Sequence, residues 1–223
     1  MGDRAAKRRL FDGFAAVANA LASGRRMEIL DVLGQGPRSV DELASEIDQS
    51  VANTSHHLRT MARAGLLETK RAGTRIVYRV ASPKVTELWR AIREVAAEQV
   101  AEIDRLARGY LGESEGLEPV SREELARRLR RKDVVVLDVR PAPEYASGHI
   151  AGARSVPVEE LSRRLTGVSK ESDVVAYCRG PYCVFAHDAV RMLRKRGYRA
   201  SRLEDGFPEW RDAGLPVDVG ARS

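Results

Sequence analysis

Cysteine is nearly absent from this chain, with two in 223 residues. Two cysteines cannot build a disulfide framework, so neither a small disulfide-stapled fold nor an oxidising compartment is indicated. Long apolar runs are missing as well. No stretch approaches the roughly 18 consecutive apolar residues of a membrane span, because Arg or Asp interrupts each run within a few positions. The amino terminus, MGDRAAKRRLFDGF, carries charge but neither an apolar stretch nor a small-residue cleavage site, which argues against a secretory leader. A cytoplasmic protein with no membrane partner is expected. Aromatic residues are scarce at 5%, yet 43% hydrophobic and 31% charged residues match ordinary globular chains and exclude a wholly disordered or fibrous one. The length suits one large or two small domains.

What is present is a basic excess, with a formal charge of +6. Residues 1–110 hold 18 basic and 14 acidic side chains, and residues 111–223 hold 20 and 18. The excess concentrates in 59–79, where Arg59, Arg63, Lys70, Arg71, Arg75 and Arg79 face a single acid, Glu68. That is a footprint for a polyanion, or else a solvated basic face.

A stretch of Gly, Ser and Glu, Leu111 to Pro119, lacks periodicity and reads as a linker between a domain over 1–110 and a second over 120–223. The first half is mostly helical. Apolar residues recur at helical spacing over Arg4–Leu21, and Ser23 is placed to cap a helix over Arg26–Leu33. Ser39 and Glu42 form a capping-box pattern ahead of Val40–Ile47, and a helix over Val51–Ala64 ends at Gly65. Two strand-like runs between Leu66 and Val80, around Arg71-Ala-Gly-Thr74, form a hairpin. Ser82-Pro83 opens a final helix predicted to run unbroken to Tyr110. Its apolar stripe of Val85, Leu88/Trp89, Ile92, Val95/Ala96, Ile103, Leu106 and Tyr110 calls for a partner helix, or else for packing onto its own domain.

Helix, short helix, turn, helix and basic hairpin is the order of a winged helix-turn-helix, whose second helix enters the major groove. Asn53, Thr54, Ser55, His56 and Arg59 are short or polar donors and acceptors suited to base edges. Lys70, Arg71 and Arg75 of the hairpin suit phosphates or the minor groove. Val51, Leu58 and Met61 are expected to face inward. His56 and His57 point about 100° apart and are poor joint metal ligands; core packing is the expectation for His57. The run SVANTSHHLRTMARAGLL with the GTRIVY wing resembles the ArsR-type winged-helix repressors over roughly residues 10–110. The resemblance implies a homodimer, built through the first and last helices of this domain, that binds a palindromic double-stranded operator and releases it on a signal. Metal-sensing members carry Cys or His in the third or the last helix. Ser39–Ile47 has no Cys and Pro83–Tyr110 has neither Cys nor His, so no metal site is expected.

The second half alternates helix and strand, with a capped helix start at Ser121. Val134–Val139 and Asp173–Tyr177 are continuous apolar runs, as for strands buried on both faces. The second run ends at Cys178, and Cys178-Arg-Gly-Pro-Tyr-Cys183 leads into a helix over Val184–Arg196. Strand, tight loop and helix place such a loop at the carboxyl end of a sheet, where ligands bind. Loop amides, the helix N-terminus and Arg179 all favour a thiolate at Cys178, and Pro181 removes one amide donor. The alternative is a structural cysteine at a strand end.

LDVRPAPEYASGHIAGA, at 137–153, resembles the rhodanese signature, and DGFPEWRDAGLPV, at 205–217, resembles its C-terminal counterpart. The resemblance implies an α/β domain with a parallel sheet and sulfur transfer through a Cys178 persulfide, without a cofactor. The donor is a small sulfane-sulfur compound: thiosulfate, polysulfide or a persulfide. Arg179, Gly180, Tyr182 and Cys183 complete the anion-binding loop, while Asp138, Arg140, Glu144 and His149 order it. A six-residue loop suits sulfane sulfur better than phosphate. Many active members place Arg at its sixth position, where this chain has Cys183. One anion-binding charge is therefore missing, and a thiol able to resolve the persulfide to a disulfide or trisulfide takes its place. His187 is expected at the surface. The combined expectation is a transcriptional regulator, in the sense of a repressor, that reads sulfane sulfur. Its rival is a sulfurtransferase whose winged helix only dimerises it or keeps it on DNA. A third option is a degenerate loop that binds an oxyanion.

Overall fold

Helix α1, Arg4–Asn19, starts where the Asp3 carboxylate accepts from the Ala5 amide, and it buries none of its residues. Helix α2, Gly24–Gly34, carries the apolar stripe of Ile29, Leu30 and Leu33 inward. Ser23 occupies its N-cap position without a side-chain bond, contrary to the expected cap. Strand β1, Arg38–Ser39, leads into α3, Val40–Glu46, opened by the Ser39/Glu42 capping box. Helix α4, Val51–Arg63, follows a short turn, and β2, Leu67–Ala72, pairs antiparallel with β3, Arg75–Val80, around Gly73 at φ 62°. The structure is a computed structural model and describes residues 3–112, 119–165 and 167–220.

The predicted single last helix is two: α5, Pro83–Gln99, and α6, Ala101–Leu111. Val100 breaks them with an extended backbone, φ −116° and ψ 94°, although no glycine or proline stands there. Val85 is buried, and Trp89 and Ile92 pack onto the core formed by α2, α3 and α4. Trp89 also donates to Asp31 at 3.2 Å. The end of α6 instead lies against a later helix of its own compact unit. Tertiary packing thus interrupts a stripe whose local periodicity runs on. Leu88, Val95, Leu106 and Tyr110 stay exposed, as do Leu10, Phe11 and Phe14 of α1.

The chain divides into two compact units, Met1–Arg93 and Glu94–Ser223. Of the expected linker, 113–118 lie outside the described residues. The second unit continues with β4, Pro119–Val120; α7, Arg122–Arg131, capped by Ser121; β5, Val134–Asp138; and α8, Ala142–Ser147. Then come β6, His149–Ile150, and β7, Arg154–Ser155, before a 3-10 turn at Val158–Glu160. The remaining elements are β8, Asp173–Tyr177; α9, Val184–Lys195; β9, Arg199–Leu203; α10, Phe207–Asp212; and β10, Val217–Asp218. The main sheet has the order β4-β9-β8-β5-β7 and is parallel throughout. Along β8 the pleat sends Val174 and Ala176 to a core shared with α9. Val175 and Tyr177 go to the opposite core, with Leu125 and Trp210. Burial on both faces is why the strand reads as an unbroken apolar run.

Candidate nucleic-acid face and cysteine loop

In the first unit, Thr54, Leu58 and Met61 recur at helical spacing and bury one side of α4. Asn53, His56, Arg59 and Arg63 are exposed on the rest, with Ser55 half-buried. Thr54 is therefore corrected from a DNA contact to a packing residue: it is fully buried, and its hydroxyl donates to the Ser50 carbonyl at 3.0 Å. Val51 departs from expectation in the other direction, since it opens the helix and stays 47% exposed. Lys70, Arg71 and Arg75 of the wing are exposed and, like Arg59 and Arg63, make no salt bridge among the described residues. Arg63, one turn beyond Arg59, belongs to this cationic surface although the base-reading pattern did not single it out. His57 is half-buried; burial, then the Arg26 and His56 charges, hold its imidazole below its usual pKa and favour the neutral form. Among the described residues no group of three or more His, Cys, Asp or Glu side chains is arranged to hold a metal ion.

In the second unit, β8 delivers Cys178 to the carboxyl end of the central sheet, and the loop returns at Cys183, the N-cap of α9. The two Cα atoms are 6.1 Å apart and the sulfurs are bonded, within the span a disulfide allows. In this form Cys178 carries no charge. It is 1% exposed and packs with Val139, Ala176 and Ala186, rather than standing open at the mouth of the loop. Opening the bond is therefore what would create a nucleophile. The Cys183 amide donates to the Gly180 carbonyl at 3.1 Å, which shapes the loop as a turn. Gly180 and Tyr182 are half-buried. The Phe207 amide donates to the Cys178 carbonyl at 3.0 Å, and Gly206 lies so close that a Cβ there would fall 2.2 Å from the Arg179 oxygen. Only glycine fits that crossing.

The Arg179 guanidinium turns to Glu144, with Nη2 to Oε1 at 2.6 Å and Nε to both carboxylate oxygens at 3.1 and 3.2 Å. Its backbone belongs to the loop, and its charge is spent on α8. Beneath it, Arg140 grips Asp138 at 2.6 Å and the Gly148 carbonyl at 2.8 Å. The Tyr177 hydroxyl donates to Asp138 at 2.5 Å while accepting from the Ile150 amide. Burial first, and the Asp138 charge second, push the Tyr177 hydroxyl well above its ordinary pKa, so it remains a donor. His149 is buried, stacks on Tyr145 at 3.6 Å and contacts the Tyr145 carbonyl through Nδ1 at 2.9 Å. His187 overturns its expected surface place, because α9 turns it inward to 1% exposure.

These two arrangements match known families in the same order. Residues 21–70 match a helix-turn-helix domain and 121–213 a rhodanese-like domain. An HTH-type transcriptional regulator of Mycobacterium tuberculosis is 45% identical over 96% of this chain and 94% of its own length. The chain belongs to that family of regulators. It carries an ArsR-type helix-turn-helix domain followed by a rhodanese-like domain. A sulfurtransferase of Allochromatium vinosum is 33% identical over 44% of this chain and 92% of its own. The winged helix-turn-helix domain of a Mycobacterium bovis protein, solved by NMR as a homodimer, is 38% identical over 46% of this chain and 93% of that one, with a TM-score of 0.43. No helix among the described residues is long and apolar enough to cross a membrane.

Proposed function

We propose that this regulator is a homodimeric repressor whose rhodanese-like domain reads sulfane sulfur and thereby changes its affinity for operator DNA. The reading rests on the Cys178–Cys183 bond: the chain has no other cysteine, and both stand in one loop at the carboxyl end of the sheet. A thiol signal has no other place to act.

In the reduced form, the Cys178 thiolate attacks the sulfane sulfur of thiosulfate, polysulfide or a persulfide. The donor's sulfur–sulfur bond breaks and its electron pair leaves with sulfite or a thiolate. The Cys183 thiolate then attacks Cys178 Sγ, the bond to the terminal sulfur breaks, and hydrosulfide departs. The product is the disulfide of the present structure, with no sulfur retained. Asn53, Ser55, His56 and Arg59 on α4 reach bases, and Lys70, Arg71 and Arg75 reach phosphates. The exposed apolar residues of α1, α5 and α6 meet a second copy.

The test pairs mass spectrometry of the 178–183 peptide after polysulfide exposure with a gel shift on DNA enriched from a random-sequence library by the full chain. A persulfide that converts to the disulfide, with loss of DNA affinity, is expected. Rapid multiple turnover with thiosulfate and DNA affinity indifferent to the donor would instead support a sulfurtransferase, a reading favoured by the Allochromatium vinosum relative.

A further inference from the structure

Helix α9 begins at the cysteine pair and holds the end of α6 against its flank. Cys183 is its N-cap and is bonded to Cys178. Arg191, eight residues on and about 12 Å along the axis, donates from Nη2 to the Leu111 carbonyl at 2.5 Å. Asp188 holds the other arm of the guanidinium at 3.0 Å. Leu111 is the last residue of α6, and its carbonyl is one of those a helix cannot bond internally. A cation there also meets the negative end of the helix dipole. Gly112 follows at φ 73°, so close that a Cβ would stand 2.9 Å from Arg191 Nη2. The rest of the docking is shallow: Ile103, Ala107 and Leu111 are half-buried, and α6 buries no residue fully.

The other end of α6 is the break at Val100. No glycine or proline causes it, and the apolar spacing on both sides suits one continuous helix. The Val100 amide still donates to the Ala96 carbonyl at 3.0 Å, so the turn of α5 reaches this residue intact. Beyond it the chain bends, and the Ile103 amide donates back to the Val100 carbonyl at 2.9 Å. A break without a local cause is held from outside, and the packing of α6 on α9 supplies the hold. Val95, Leu106 and Tyr110 are all exposed. On an unbroken helix they would lie within about 60° of one another, as one apolar stripe.

We propose that the cysteine pair sets the continuity of this helix. The disulfide keeps α6 bent onto α9 through Arg191, and reduction releases it to continue α5 through Val100. This rests on the proposed thiol reading and supplies its route to DNA affinity. A dithiol reduces the bond, becomes a disulfide itself and leaves two thiols on the chain. Cys183 makes no side-chain cap bond while its sulfur is tied to Cys178. Freed, that sulfur turns over the first amides of α9, where the helix dipole favours a thiolate. The shift of the first turn carries Arg191 with it, because the 12-residue helix moves as a rod. The bond to Leu111 gives way first, since little burial supports it. The rejoined stripe of Val95, Leu106 and Tyr110 then meets the second copy in the form that binds DNA.

The experiment compares the full chain reduced by dithiothreitol and oxidised by diamide, using hydrogen exchange read by mass spectrometry. The Ala101 and Glu102 amides open α6 and lack helical acceptors at the break. A continuous helix supplies them, so exchange there is expected to be about tenfold slower in the reduced form. R191M, or G112A as an independent variant, gives the slow pattern in both forms, and its oxidised form binds DNA like the reduced wild type. A101P does the opposite. Proline suits the first position of α6 and the extended Val100 before it, but it forbids a continuous helix. Reduced A101P is expected to bind DNA as weakly as the oxidised wild type, with thermal melts confirming that each variant folds. Equal exchange at 101–102 in the two wild-type forms, or full affinity in reduced A101P, overturns the proposal. If wild-type affinity ignores the redox state, the wider reading falls and exchange alone decides this one.

Discussion

The two units use arginine in opposite ways. On α4 and the wing, Arg59, Lys70, Arg71 and Arg75 are exposed and without ion pairs among the described residues, as suits cations that trade counterions for phosphates. In the second unit Arg140 is fully buried against Asp138, and Arg179 is almost buried against Glu144. There the charge serves to hold a loop, and its value lies in geometry rather than in reach. A basic composition alone therefore says little about binding: the same side chain is left to solvent in one unit and is held by a carboxylate of its own chain in the other.

The largest expected effect tests whether the signal belongs wholly to the second unit. With wild-type protein, polysulfide is expected to weaken DNA binding by about 5- to 150-fold, the range of a 1–3 kcal/mol coupling. C178S removes that response and leaves unliganded binding intact, read by gel shift. A residual response would break the division of labour.

Next, Asp138→Ala strands the buried Arg140 and is expected to cost about 3–5 kcal/mol. The two tryptophans, Trp89 and Trp210, fall one in each unit and report separately. The urea midpoint seen by Trp210 should fall while the one seen by Trp89 stays.

Acid sharpens the contrast further. His187 holds a folded value near 4 against an ordinary 6.5, so as pH falls below 6.5 the unfolded chain takes a proton that the folded chain refuses. Stability of the second unit is full above pH 6.5 and declines by up to about 3 kcal/mol by pH 4, at roughly 1.4 kcal/mol per unit. H187N should flatten the profile in denaturant melts.

The smallest effect belongs to the exposed cations. Arg75→Ala is expected to reduce the salt slope of log K by about 0.9 with no change in either melting transition. A lost transition there would mean that the wing cation is structural, like those of the second unit.

Much of this arrangement was legible in the chain itself. The capping box at Ser39 and Glu42, the basic hairpin, the apolar run into Cys178 and the following helix all rest on local rules, because capping, turns and burial on both sheet faces leave marks on neighbouring residues. Thr54 escaped such reading. Polarity suggested reach toward DNA, but a hydroxyl that donates to Ser50 satisfies itself and packs inward. His187 escaped for a related reason: a polar residue on an amphipathic helix is assigned to water by default, and only the packing of α9 onto the sheet turns it inward.

Residue order alone indicated the helices and basic hairpin of the first unit up to Pro83 and that both thiols share one loop, since these depend on neighbours a few positions apart. The folded chain decided the break at Val100, the turning of Arg179 toward Glu144 and the bonding of Cys178 to Cys183. Each depends on which surface is covered by a segment distant in sequence, or on how closely two ends of a loop approach, and periodicity carries no record of either.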